Sequence, residues 1–133
     1  MIIADTNLIA YLLIRGQHTA EAEAVYRKDP MWAAPRVWRS EFRNVLVLSL
    51  RRKLMGMDEA FEAVERAERL MEGQEFEVES SRVLRLAATS GCSAYDCEFV
   101  ALAQDLGLFL VTSDRALITK FKPTVVSMTT FCS

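Results

Sequence analysis

Four carboxylates stand where this chain can do chemistry with them: Asp5, Glu41, Asp96 and Asp114. Asp5 ends the run Met1-Ile2-Ile3-Ala4, and Asp114 follows Leu108-Phe109-Leu110-Val111-Thr112-Ser113. Short apolar runs of this kind read as buried strands, so both acids sit just past a strand's carboxyl end, the edge at which open parallel α/β sheets bind ligands. Glu41 and Asp96 fall near the starts of helical segments. Glu41 shares a face with Val45 and Leu48, and Asp96 with Val100 and Ala103, so both carboxylates lie along stripes that read as buried. An unpaired carboxylate there costs several kcal/mol. A helix N-terminus relieves about 0.3–1 kcal/mol of that. A divalent cation relieves more, because it offsets mutual repulsion as well as desolvation.

A cluster of carboxylates without Cys or His is an oxygen-only site, suited to Mg²⁺ or Mn²⁺ and to phosphate chemistry. One or two ions would hold a scissile phosphate, lower the pKa of a bound water and steady the leaving oxygen. Thr112 and Ser113 could then position a water or a phosphate oxygen, and Asn7 could hold a carboxylate in orientation. Each acid also has a purely local use. Asp5 and Asp114 could cap helices, Ser93-Ala94-Tyr95-Asp96 matches a capping box, and Glu41 could pair with Arg43.

The 133 residues are 51% hydrophobic with only five glycines and three prolines, which fits one domain, residues 1–133, with a real core. Asp5 and Asn7 interrupt the apolar start and no basic flank precedes it, so it does not read as a signal peptide. No stretch has the length of a membrane helix. The expectation is a soluble cytoplasmic protein without a membrane partner. Cys92, Cys97 and Cys132 form no C-x-x-C pair and the only histidine is His18, so reduced thiols are expected rather than a zinc site.

The net charge of −2 is unevenly spread. Residues 36–53 carry Arg36, Arg39, Arg43, Arg51, Arg52 and Lys53 against Glu41, a net of +5, whereas residues 58–79 carry nine acids against Arg66 and Arg69, a net of −7. Either the basic segment faces a phosphate backbone or acidic partner, with Arg36, Arg39 and Arg43 as contacts, or the two segments pair their charges.

Strands are expected at residues 2–4, 31–34, 75–79, 108–112 and 124–127. Helices are expected at 8–14, 20–28 with Thr19 as cap, 37–53, 57–71, 81–88 capped by Ser80 or Ser81, 94–106, and briefly after Ser113-Asp114. This alternation calls for a parallel sheet with helices on both faces. The two most apolar strands, 2–4 and 108–111, belong side by side at its centre, which would bring Asp5 next to Asp114. The middle of the third helix, Val45-Leu46-Val47-Leu48-Ser49-Leu50, is apolar on nearly every side, so it either crosses the core or spends a face on a partner. The fourth, with Met57, Phe61, Val64 and Met71, reads as an ordinary amphipathic helix.

Ile3-Ala4-Asp5-Thr6-Asn7, Ser40-Glu41-Phe42, Ser93-Ala94-Tyr95-Asp96 with Phe99-Val100-Ala101-Leu102-Ala103, and Thr112-Ser113-Asp114 occur in an order and spacing that resemble the PIN-domain family of metal-dependent ribonucleases, in particular the VapC-type toxins of toxin–antitoxin pairs. The resemblance covers essentially the whole chain. It implies a three-layer α/β/α fold with a five-stranded parallel sheet in order 3-2-1-4-5. It further implies Mg²⁺- or Mn²⁺-dependent hydrolysis of RNA to 5′-phosphate and 3′-hydroxyl ends, with Asp5 and Asp96 as direct metal ligands and Glu41 and Asp114 completing the pocket. Homodimers and inhibition by a small antitoxin protein covering the groove are implied as well. Glu98, two residues beyond Asp96 on a helix, is expected to face the surface.

A phosphoryl-receiver signalling domain would want two adjacent acids after the first strand and an aspartate after the third, where this chain has only Asp5 and Val78-Glu79. A haloacid-dehalogenase-type phosphatase would want an aspartate at position 7, which is Asn. A catalytically inactive PIN-like binding module is the remaining alternative. His18 reads as a solvent-facing loop residue, Trp32 and Trp38 as packing rather than base-stacking groups, and Tyr95 as packing.

Overall fold

The computed structural model describes residues 1–133. Strand β1 (Ile2–Ala4) leads into α1 (Thr6–Leu13) and α2 (Thr19–Lys28), and then come β2 (Trp32–Pro35), α3 (Trp38–Arg51) and α4 (Met57–Leu70). Strand β3 (Glu75–Phe76) precedes α5 (Ser80–Ser90) and α6 (Ala94–Leu106), followed by β4 (Leu110–Val111), α7 (Arg115–Lys120), β5 (Val125–Val126) and α8 (Met128–Cys132). All strand pairs are parallel and the order is β3-β2-β1-β4-β5, as the resemblance implied.

The most apolar strand takes the most enclosed place. Ile2, Ile3 and Ala4 are at most 2% exposed, with Ile3 opposite both Ala33 and Leu110. The chain winds outward from β1 through β2 to β3, then returns across the sheet through α5 and α6 to reach β4. Right-handed crossovers in opposite directions put helices on opposite faces. Helices α1, α3 and α4 accordingly pack on one another, while α6 packs on β1, β2 and β4. Connections therefore diverge between β1 and β4, and a crevice opens at the carboxyl ends of these two strands.

Several expected details differ. Strand β3 ends at Phe76 rather than residue 79, because beyond it the neighbouring β2 ends at Pro35. Thr19 is inside α2, not its cap; its hydroxyl accepts from the Gly16 amide (2.8 Å) and closes the preceding turn. Neither Ser80 nor Ser81 caps α5, which starts after Glu79. Helix α8, unanticipated, is capped by the Ser127 hydroxyl and packs on α2. Helix α4 buries Ala60, Ala63 and Ala67, with Met71 buried just past its end, and leaves Met57 and Phe61 exposed, so its inner face is the alanine row. Small residues let it approach α1 and α3 closely.

The basic and acidic segments do pair, at one point closely. Arg39 grips Glu75 through Nε (2.6 Å) and Nη2 (2.8 Å), and its Nη1 reaches Glu68 (3.0 Å). The buried Trp38 indole also donates to Glu75 (2.8 Å). This clamp ties α3 to α4 and to the two-residue edge strand β3. The Arg39 guanidinium and the Trp38 donor hold the Glu75 carboxyl below its ordinary value. Its stabilisation is therefore present above the usual pKa and is lost as pH falls toward the lowered one. Glu75→Ala leaves the indole unpartnered and is expected to cost about 2–4 kcal/mol in a denaturant titration, whereas Glu75→Gln, which keeps an acceptor, should cost less.

Candidate active site

Strand register sets the floor of the crevice. Ala4 is paired with Val111, so the next residues, Asp5 and Thr112, come out side by side. The fully buried Thr112 hydroxyl donates to Asp5 Oδ2 (2.5 Å) and accepts from the Asp114 amide (3.0 Å), which joins the acids that follow β1 and β4. Asp5 Oδ1 accepts from the Thr6 amide (2.8 Å) at the start of α1. Asp114 caps α7, its Oδ1 accepting from the amides of Ala116 (2.9 Å) and Leu117 (3.1 Å).

Glu41 comes from the first turn of α3, and the buried Thr6 hydroxyl donates to its Oε1 (2.6 Å). Asp96 comes from the first turn of α6, where Ser93 caps the helix by accepting from the Asp96 amide (3.0 Å). Only that half of the expected capping box forms, and the Asp96 carboxylate stays free. Glu41 Oε2, both oxygens of Asp96 and Asp114 Oδ2 take part in no hydrogen bond of the chain. All four acids line one cleft of about 550 Å³ together with Thr6, Asn7, Ser40, Asn44 and Tyr95.

No Lys or Arg lines this cleft, so the chain does not neutralise it. Burial pushes the Asp5 carboxyl up to about 6 against the lowering pull of its bonds from Thr112 and the Thr6 amide, with the charges of Glu41 and Asp96 adding to the rise. Glu41 is raised by burial and then by the charges of Asp96 and Glu98, against the Thr6 bond. Asp96 is raised by burial and by the charge of Asp114.

The remaining candidates are placed as follows. Asn7 lines the cleft but holds no carboxylate; Thr6 does that work. Thr6 carries no sign of this in the sequence, because its hydroxyl serves an acid 35 positions away while its amide serves the neighbouring Asp5. Ser113 faces outward, its hydroxyl 3.2 Å from that of Tyr11. Arg36, Arg39 and Arg43 lie outside the cleft: positions 39 and 43 are each about 200° around α3 from Glu41. Arg39 is held by Glu75 and Glu68, and Arg36 lies 3.6 Å from Glu77. Glu98, expected to face away, is half-buried and close enough for its charge to raise Glu41. Tyr95, expected to pack, is 62% exposed, whereas Trp32 and Trp38 are core residues at 1%. His18 stacks on Tyr11 and meets Glu21 (3.1 Å), outside the cleft.

The donors are hard oxygens bearing uncompensated negative charge, which suits a hard divalent cation. No three of the acids are set to ligate one ion by themselves. An ion held here would take most of its ligands from water or substrate oxygens.

Fold and site together define a parallel α/β protein with an acidic, oxygen-donor cleft at the point where its chain connections diverge. The chain belongs to the PIN domain family, whose model matches residues 2–121. Among solved structures it is similar to PAE2754 from Pyrobaculum aerophilum, with 23% identity, a TM-score of 0.75, and coverage of 98% of this chain and 92% of that one. It is also similar to FitAcB from Neisseria gonorrhoeae (20% identity, TM-score 0.72, covering 96% and 98%). A toxin-antitoxin complex from Klebsiella pneumoniae matches over the same shares at 19% identity and a TM-score of 0.68. No curated protein matches. No helix is long and apolar enough to cross a membrane.

Because Asp5 titrates higher folded than unfolded, its contribution is most favourable below the ordinary value of 3.8 and is lost as pH rises toward about 6. Asp5→Asn keeps the capping acceptor and removes the charge. In EDTA at pH 7 it is expected to raise unfolding free energy by on the order of 1–3 kcal/mol, with the gap to wild type closing near pH 4 in thermal melts.

Proposed function

We propose that residues 1–133 act as one metal-dependent ribonuclease domain that hydrolyses RNA phosphodiester bonds to 5′-phosphate and 3′-hydroxyl ends. The observation carrying this reading is the meeting of Asp5, Glu41, Asp96 and Asp114, from four separate segments of a PIN domain, in a cleft without a basic side chain. Asp5 and Asp96 would hold Mg²⁺ or Mn²⁺ directly, with Glu41 and Asp114 as ligands or as acceptors for its waters. The bound ion supplies positive charge at the scissile phosphate and an acidified water. The chain itself orients the acids. Thr112 fixes Asp5, Thr6 fixes Glu41, and the amides that Asp114 caps leave one of its oxygens facing the cleft.

We extend the reading to the toxin of a toxin–antitoxin pair, acting in the cytoplasm as a homodimer. The likeness to VapC-type toxins and to the Klebsiella complex supports it. So does the exposure of Leu48, Leu54, Met57 and Phe61, apolar side chains at the α3–α4 corner that an antitoxin or a second copy would cover. The second reading is a PIN-like module used for protein contact alone, which the lack of a ready-made three-carboxylate cage favours.

The deciding experiment incubates purified protein with structured RNAs in Mg²⁺, in Mn²⁺ and in EDTA, beside an Asp5→Asn, Asp96→Asn double variant. Cleavage is expected only with metal and wild type. Equal cleavage by both proteins, or none by either, defeats the hydrolytic reading. Thr6→Val, which frees Glu41 without removing it, is expected to weaken metal-dependent activity about 10- to 100-fold, with the deficit shrinking as metal concentration is raised.

A further inference from the structure

Tyr95 precedes Asp96 in the first turn of α6, and nothing in the chain explains it. It lines the acidic cleft at 62% exposure. The ring pairs of the molecule are Tyr11–His18, Tyr26–Trp32 and Trp38–Phe42, so the Tyr95 ring has none. On the same cleft, Asn7, Ser40 and Asn44 are absent from the hydrogen bonds that fix the acids. Val37 and Val45 add apolar surface on the α3 wall.

Phosphate and a cation need only the carboxylates. An unpartnered ring, two unspent amides, a hydroxyl and an apolar wall are surplus to them, and they match what a nucleobase offers: a flat face to stack on and an edge of donors and acceptors. At about 550 Å³ the cleft is large enough for a nucleotide. In an A-form duplex the bases are stacked inside, so only an unpaired strand can present one. We infer that Tyr95 stacks on a nucleobase flanking the phosphate held by the acids, which requires that base to be unpaired. This rests on the ribonuclease reading and adds a substrate-contacting residue to it.

Two measurements test it. Steady-state Mg²⁺-dependent cleavage of a single-stranded 20-mer RNA and of the same sequence in a duplex is compared for wild type, Tyr95→Phe and Tyr95→Ala. Binding is read without catalysis by titrating single-stranded RNAs, each with 2-aminopurine at one position, against the Asp5→Asn, Asp96→Asn protein with and without Tyr95→Ala or Tyr95→Phe. Tyr95 is exposed, so circular dichroism should show these variants folded alike. Tyr95→Ala is expected to raise KM and weaken binding roughly tenfold or more, change kcat less and abolish the quenching of one labelled position. Tyr95→Phe should restore all three, and the duplex should be cut poorly.

Unchanged KM and quenching in Tyr95→Ala, a Tyr95→Phe variant as impaired as Tyr95→Ala, or equal cutting of duplex and single strand each overturns the inference. Cleavage by wild type alongside any of these leaves the ribonuclease reading intact. Quenching that depends on Tyr95 without cleavage by wild type supports the stacking and sinks the hydrolysis. Neither binding nor cleavage sinks both.

Discussion

One hydroxyl, that of Thr112, holds the acidic end of this molecule together. It stands between the carboxylate that ends the first strand and the amide of the acid that follows the fourth. It reaches both only because Ala4 is paired with Val111. Shifting that pairing by one residue would turn every side chain of β4 to the opposite face and carry Thr112 away from Asp5. The buried, nearly featureless apolar strands thus matter to the cleft through their register, and their packing fixes the position of polar atoms that they do not themselves contribute.

The same geometry concentrates charge that the chain makes no effort to cancel. Its basic residues are spent elsewhere: Arg39 fastens α3 to α4 and β3, and Arg82 pairs with Asp105 on α6. Around the cleft the only relief comes from hydroxyls and amides, which orient carboxylates without neutralising them. Burial and mutual repulsion therefore raise Asp5, Glu41 and Asp96 together.

The parallel sheet, with the strands at 2–4 and 108–111 side by side and acids at their ends, was legible in the chain because short apolar runs ending in polar residues mark strand ends; the full strand order came from the family resemblance. Finer features were hidden for identifiable reasons. The inner face of α4 was misread because Met57 and Phe61 outweigh Ala60, Ala63 and Ala67 on any hydrophobicity scale, while close helix packing favours the alanines. Glu98 was assigned to the surface from helical spacing relative to Asp96 alone, and the position of α3, which brings Glu41 near it, is not written in α6. For residues 36–53 the net charge left two uses open, and the pairing of Arg39 with Glu75 and Glu68 is the one the fold displays. Helix α8 carries a cap signal at Ser127, but Thr129 and Thr130 are weak helix formers, and its place depends on packing against α2.

An arrangement that raises its own carboxyl groups is a standing burden on folding, and it sets the direction in which drift would run. Were the cleft idle, replacing Asp5 by a neutral residue that keeps its helix cap would be rewarded with a sturdier protein.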